Sequence, residues 1–169
     1  ELNRVLNGID KAKVFVSGGD KISAEEVIEM QQAFDRTIVN GYGNNECLGA
    51  TIVSPRFANK PGSIGVPMKG VDIKFVNPET GEEAKDGAMG ELYISSDNLF
   101  VEYLNNPEET AKIKVTDENG KQWVKTGDLC VIDSEGYIVP KGRNRRLIKK
   151  DAFKIAPDTI EEVIISLPY

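Results

Sequence analysis

Apolar and polar positions along this chain repeat with two different periods, and the change between them divides it. Lys13 to Ser17 (KVFVS) is a short β-branched and aromatic run that stops at Gly18-Gly19-Asp20, the pattern of a strand running into a turn. Ser23 with Glu26 three residues on makes a capping box, and Val27, Ile28, Met30 and Phe34 follow it, which predicts a helix from Ala24 to Phe34. Thr37 to Asn40 restarts an extended segment. Strand, turn, helix and strand in that order make an α/β layer.

From Pro61 the texture changes to short extended runs separated by Gly, Pro, Asn and Asp. Val71 to Val76, Glu91 to Ser95, Gln122 to Lys125, Leu129 to Asp133 and Tyr137 to Pro140 read as strands, spaced as in an antiparallel sheet or barrel. One helix interrupts them, from Pro107 in the first helical position to Ile113, with Asn106 as its N-cap. After Gly142, Arg146 to Lys149 reads as a strand, and Pro157-Asp158 opens a helix with Glu161 placed to complete its cap. Ile160, Val163, Ile164 and Leu167 give that helix an apolar stripe that needs a partner surface. The chain opens on Glu1 without a methionine and closes just after this helix, as a piece of a longer chain does.

Composition narrows the function classes. The 169 residues are 40% hydrophobic and 28% charged, which is globular and not disordered. A net charge of −6, spread along the chain, gives no general attraction to nucleic acid or to an anionic membrane. No apolar run reaches membrane-spanning length. With no histidine in the chain, and with Cys47 and Cys130 far apart, neither a Cys/His zinc site nor a His-based triad can be built from these residues. Two thiols in an acidic chain without a signal peptide point to a reducing, cytoplasmic setting.

Four stretches carry candidate chemistry, each with a plainer alternative. VSGGDKIS, from Val16 to Ser23, leaves free backbone N–H groups at a helix start, where an anion or a planar base can sit; it is also an ordinary βα turn. YGNNE, from Tyr42 to Glu46, lies just beyond the next extended segment. It offers a flat ring, two amides and a hard oxygen ligand suited to magnesium, or else a polar loop. Both stretches fall at carboxyl ends of strands, where open α/β sheets bind ligands. In KTGDLC, Lys125 to Cys130, the Asp128 carboxylate suits a vicinal diol, while Gly-Asp equally suits a hairpin. KGRNRRLIKK, Lys141 to Lys150, is either a solvated basic face or a place where Arg143 reaches phosphate or ribose oxygens.

In this order, these stretches resemble the adenylate-forming superfamily of acyl-CoA synthetases, nonribosomal peptide synthetase adenylation domains and firefly luciferases. Five segments carry the resemblance, and together they span essentially the whole chain: SGGDKIS, NGYGNNEC, GELYISSDNLFVEYLNNPEET, KTGDL and GRNRRLIKKDAFKIAPDTIEE. It implies an α/β then mostly β fold: the end of the α/β layer of a large domain (1–60), its β-rich, barrel-like subdomain (61–142), and a hinge with the first elements of a small α+β domain (143–169). It implies an ATP- and magnesium-dependent ligase that activates a small carboxylate as an acyl-adenylate and passes it to the thiol of coenzyme A. An adenylation domain loading a carrier-protein thiol, or a non-catalytic nucleotide-binding module, are the alternatives.

By the same resemblance, Gly18, Gly19 and Asp20 line the adenine pocket, and Gly41, Tyr42, Gly43, Asn44 and Asn45 continue it, with Tyr42 stacking on the base. Glu46 holds the magnesium, Asp128 the ribose hydroxyls, and Arg143 contacts the nucleotide. Arg145 matches the hinge position and Lys149 a lysine tied to the thiol-transfer step. Asn45 stands where the family usually has threonine, and Ala152 where it has glycine. The family's phosphate loop and adenylating lysine are not in the sequence, so the chain taken alone is expected to be inactive and to need the rest of its own polypeptide.

Overall fold

The computed structural model describes residues 11–20, 22–85, 87–144, 148–150, 153–155, 157–165 and 167. Four strands, β1 (Phe15–Gly18), β2 (Ile38–Asn44), β3 (Gly49–Val53) and β4 (Val66–Pro67), form a sheet in that order. β1 and β2 run parallel and the other pairs antiparallel. The crossover between β1 and β2 is the helix α1 (Ala24–Phe34). Its start is fixed as the sequence predicts: Ser23 Oγ accepts from Glu26 N at 3.1 Å, and Glu26 Oε2 accepts from Ser23 N at 2.9 Å. Its apolar side buries Val27, and Phe34 packs on Phe15 of β1 with ring centroids 5.4 Å apart.

A second, antiparallel sheet contains β5 (Asp72–Val76), β6 (Gly90–Ser95), β7 (Lys114–Thr116), β8 (Gln122–Ile132) and β9 (Ile138–Arg143). Its order is β5-β6-β8-β7, with β9 also paired to β8. Helix α2 (Pro107–Ile113) has the expected cap, Asn106 Oδ1 accepting from Glu109 N at 3.1 Å. Reciprocal bonds of 2.9 Å, Ile64 N to Ile138 O and Ile138 N to Gly65 O, tie the first sheet's β3–β4 connection to β9. The two sheets share one core, with Cys47 and Ile52 from the first and Leu92, Ile94, Val124, Cys130 and Ile138 from the second. Beyond it the backbone of β10 (Ile148–Lys150) pairs antiparallel with β11 (Phe153–Ile155), followed by α3 (Pro157–Ile165). Among the described residues no helix is long and apolar enough to cross a membrane.

Two sequence expectations are corrected here. The extended run beginning near Thr37 does not stop at Asn40; β2 continues through Gly41, Tyr42, Gly43 and Asn44, paired throughout with β3. Gln122–Lys125 and Leu129–Asp133 are not two strands around a hairpin but one strand, β8. Across from Leu92 of β6, flanked by the pairs Tyr93 with Lys125 and Glu91 with Leu129, β8 places Thr126, Gly127 and Asp128. The glycine, at φ 76°, is absorbed as a bulge.

On β3, Thr51 is 3% exposed and its hydroxyl has no hydrogen-bond partner among the described residues. Valine keeps the shape and removes an unsatisfied polar atom, so Thr51→Val is expected to stabilise the protein by about 1 kcal/mol in urea denaturation.

Candidate functional site

The carboxyl end of β1 lies beside the middle of β2, with Gly18 in register with Gly41. Past Gly18, residues Gly19 and Asp20 form an exposed bend at the end of β1, whereas β2 runs on for three residues beyond Gly41, so only the first of the two expected glycine turns is a turn at a strand end. Tyr42, Gly43 and Asn44 belong to the strand itself. The strand can approach β3 closely there because residue 43 has no side chain: a Cβ on Gly43 would sit 1.8 Å from the carbonyl oxygen of Gly49. At the strand's end a single 3-10 turn, Asn45–Cys47, reverses the chain. The Asn44 side chain caps it, Oδ1 accepting from Cys47 N at 2.9 Å. That oxygen is therefore engaged in the turn. Asn45 is exposed and Glu46 half-buried.

Three of the predicted residues converge. The Tyr42 hydroxyl donates to Asp128 Oδ2 at 2.6 Å, and the Arg143 guanidinium forms an ion pair with Asp128, Nε lying 3.0 Å from Oδ1. The β8–β9 register places Asp128 directly opposite Arg143. The Asp128 side chain is 15% exposed, shielded but reachable. Burial first, and then the neighbouring Asp128 carboxylate, push the Tyr42 phenol far above its ordinary range, so it remains a neutral donor. A carboxylate accepts about four hydrogen bonds; the Tyr42 hydroxyl takes one and the Arg143 ion pair flanks the other oxygen, which leaves each oxygen room for a further donor. Tyr42 also packs against the shared core, and its hydroxyl edge is tethered.

The bulge that presents Asp128 is satisfied by two residues that spacing alone did not single out. Thr126 Oγ1 donates to Leu92 O at 2.8 Å and accepts from Asp128 N at 3.1 Å. Glu91, buried on β6, accepts from Gly127 N through Oε1 and from the Asn144 side chain through Oε2, both at 3.1 Å. One carboxylate thus joins the Asp128 bulge to the segment that leads out of β9. The expected hinge, Arg145, lies outside the described residues, as does Ala152; Lys149 falls in β10, of which the backbone alone is described.

Glu46 receives the Tyr103 hydroxyl on Oε1, and its backbone carbonyl accepts from Phe100 N at 2.8 Å. Burial first, then the bond to Glu46, raise the Tyr103 phenol to about 12. Among the described residues no cluster of three or more Cys, Asp or Glu side chains could hold a metal by itself. A lone carboxylate with one free oxygen nonetheless fits magnesium, which takes one or two protein carboxylates and fills its remaining positions with water and substrate phosphates. The two thiols are not candidates for nucleophiles: burial, then Glu46, raises Cys47 to about 11, and burial pushes Cys130 higher still. Two surface hollows, of about 480 and 620 Å³, lie along β5 and the β7–β8 turn, away from these residues.

A family model described as "AMP-binding enzyme" matches residues 6–104. The chain is 34% identical over 154 residues to 4-coumarate-CoA ligase-like protein 9 of Arabidopsis thaliana, covering 89% of this chain and 27% of that protein. It is 32% identical over 158 residues to luciferin 4-monooxygenase of Photuris pensylvanica, covering 93% and 28%. The crystal structure of the anthranilate CoA ligase AuaEII in complex with anthranoyl-AMP superposes with a TM-score of 0.79 at 26% identity, covering 92% of this chain and 29% of that one. The chain therefore spans less than a third of the length of these relatives.

Proposed function

Because the chain belongs to the AMP-binding enzyme family, we propose that it carries part of the nucleotide site of an ATP-dependent ligase that activates a carboxylate as an acyl-adenylate. The observation that carries this reading is the meeting of Tyr42, Asp128 and Arg143 beside the end of β1, where it pairs with β2. Asp128, held by the Tyr42 hydroxyl and the Arg143 ion pair, takes the ribose diol on its remaining lone pairs. Gly18, Gly19 and Asp20 border the adenine through backbone, and Arg143 adds a fork of donors on the nucleotide side. Glu46 holds a magnesium ion, whose charge offsets that of the phosphates.

Such a transfer depends on positioning and charge neutralisation and needs no protein nucleophile, which agrees with thiols held protonated and a chain without histidine. For the second half-reaction we propose the thiol of coenzyme A as acceptor, since relatives bear the names of CoA ligases. Lys149 takes part in that transfer, and Arg145 is the hinge between the two half-reactions.

The test is isotope exchange between pyrophosphate and ATP in the full-length protein, with a panel of carboxylates and magnesium. Exchange that requires one class of carboxylate is expected. Nucleotide binding without exchange for any carboxylate would overturn the ligase reading in favour of a non-catalytic module.

A further inference from the structure

Glu46 does not stand alone in its 3-10 turn. The connection from β6 to α2 passes over it and touches it twice, through Phe100 N on its carbonyl and the Tyr103 hydroxyl on its carboxylate. The Phe100 and Tyr103 rings brace each other, with centroids 4.9 Å apart and planes at 58°. The connection is in turn fixed by α2 and β7. Tyr103 N donates to Thr110 Oγ1 at 2.9 Å, and that hydroxyl donates to Asn106 O at 2.9 Å. Lys114 Nζ donates to the carbonyls of Phe100 and Val101 at 2.7 and 3.3 Å. Glutamate has more rotamer freedom to lose than most side chains, so a metal carboxylate that is not pinned must be ordered at the moment of binding. Here one oxygen is pinned in advance by a neutral donor on a braced segment.

We propose that Tyr103 is a positioning residue for a divalent-cation carboxylate: its hydroxyl holds Glu46 Oε1 so that Oε2 is presented to the metal. The inference rests on the reading of Glu46 as the metal carboxylate. Groups that orient a metal ligand without touching the metal typically contribute 10- to 100-fold in affinity. Phenylalanine at 103 keeps the ring pair and removes only the donor, and Thr110→Val loosens the segment without touching Glu46.

The experiment uses the full-length protein with a non-hydrolysable ATP analogue and Mn²⁺, whose binding is read directly by electron paramagnetic resonance. Tyr103→Phe is expected to weaken Mn²⁺ about 10-fold while leaving analogue binding in chelator unchanged, and Thr110→Val to weaken it by a smaller factor. Adenylation by Tyr103→Phe is expected to return to within about twofold of the parent at saturating metal, a rescue that simple destabilisation does not give. Unchanged Mn²⁺ affinity in Tyr103→Phe, with Glu46→Ala abolishing binding, overturns the positioning role alone. Unchanged affinity in Glu46→Ala overturns the assignment of Glu46 and the proposal with it.

Discussion

If the proposed nucleotide site is right, Asp128→Ala is expected to lower kcat/KM for ATP about 100-fold in the full-length protein, with most of the loss in KM. The size follows from what the carboxylate does for its neighbours as well as for a ligand. It accepts from the Tyr42 hydroxyl and pairs with the Arg143 guanidinium, so its removal strands one neutral donor and one cation in a shielded site. A charged group left without its partner costs more than the pair contributes, although Arg143, with its side chain 48% exposed, recovers part of that by turning to water. A ribose held equally in ground and transition states is uniform binding, and its loss appears in KM and not in kcat. Steady-state kinetics with ATP varied checks this. A kcat/KM within threefold of the parent would reject Asp128 as a nucleotide ligand, and a loss confined to kcat would move it from binding to the chemical step.

How far this site can be read from sequence depends on how local each feature is. The α1 capping box and the Asn106-Pro107 start of α2 are complete within four residues, and both form as predicted. The strand-helix-strand order was enough to set β1 beside β2, where Gly18 pairs with Gly41, although β2 runs on past that point. What fails is everything set by pairing at a distance. Gly-Tyr-Gly-Asn has the composition of a loop, and only the partner strand β3 makes it a strand. Thr126-Gly127-Asp128 has the composition of a hairpin turn and becomes a bulge because β6 continues past it on the other side. Tyr103 meets Glu46 from 57 positions away, and Glu91 reaches Gly127 from 36 and Asn144 from 53. No periodicity connects such pairs.

Gly43→Ala is expected to destabilise the protein by about 3 kcal/mol or more, whereas Gly41→Ala costs no more than about 1 kcal/mol. Both glycines flank Tyr42 and look equivalent in sequence; the difference lies in what faces them. A Cβ at 43 would lie 1.8 Å from Gly49 O, 2.5 Å from Gly49 C and 2.8 Å from Ala50 Cα. All three are backbone atoms, so no rotamer change relieves the overlap and β3 itself must move. The nearest atoms to a Cβ at 41 are Val16 Cγ1 at 3.8 Å and Ser17 O at 3.9 Å, an ordinary contact. Displacing β3 shifts Ile52, which is fully buried in the shared core, and the 3-10 turn that carries Glu46 between β2 and β3. The loss should therefore appear twice in the full-length protein, as a lower midpoint in urea and as weakened Mn²⁺ binding in the fraction that still folds. Equal stability of the two variants would show that β2 and β3 do not approach this closely, and the placement of Glu46 would fall with that geometry.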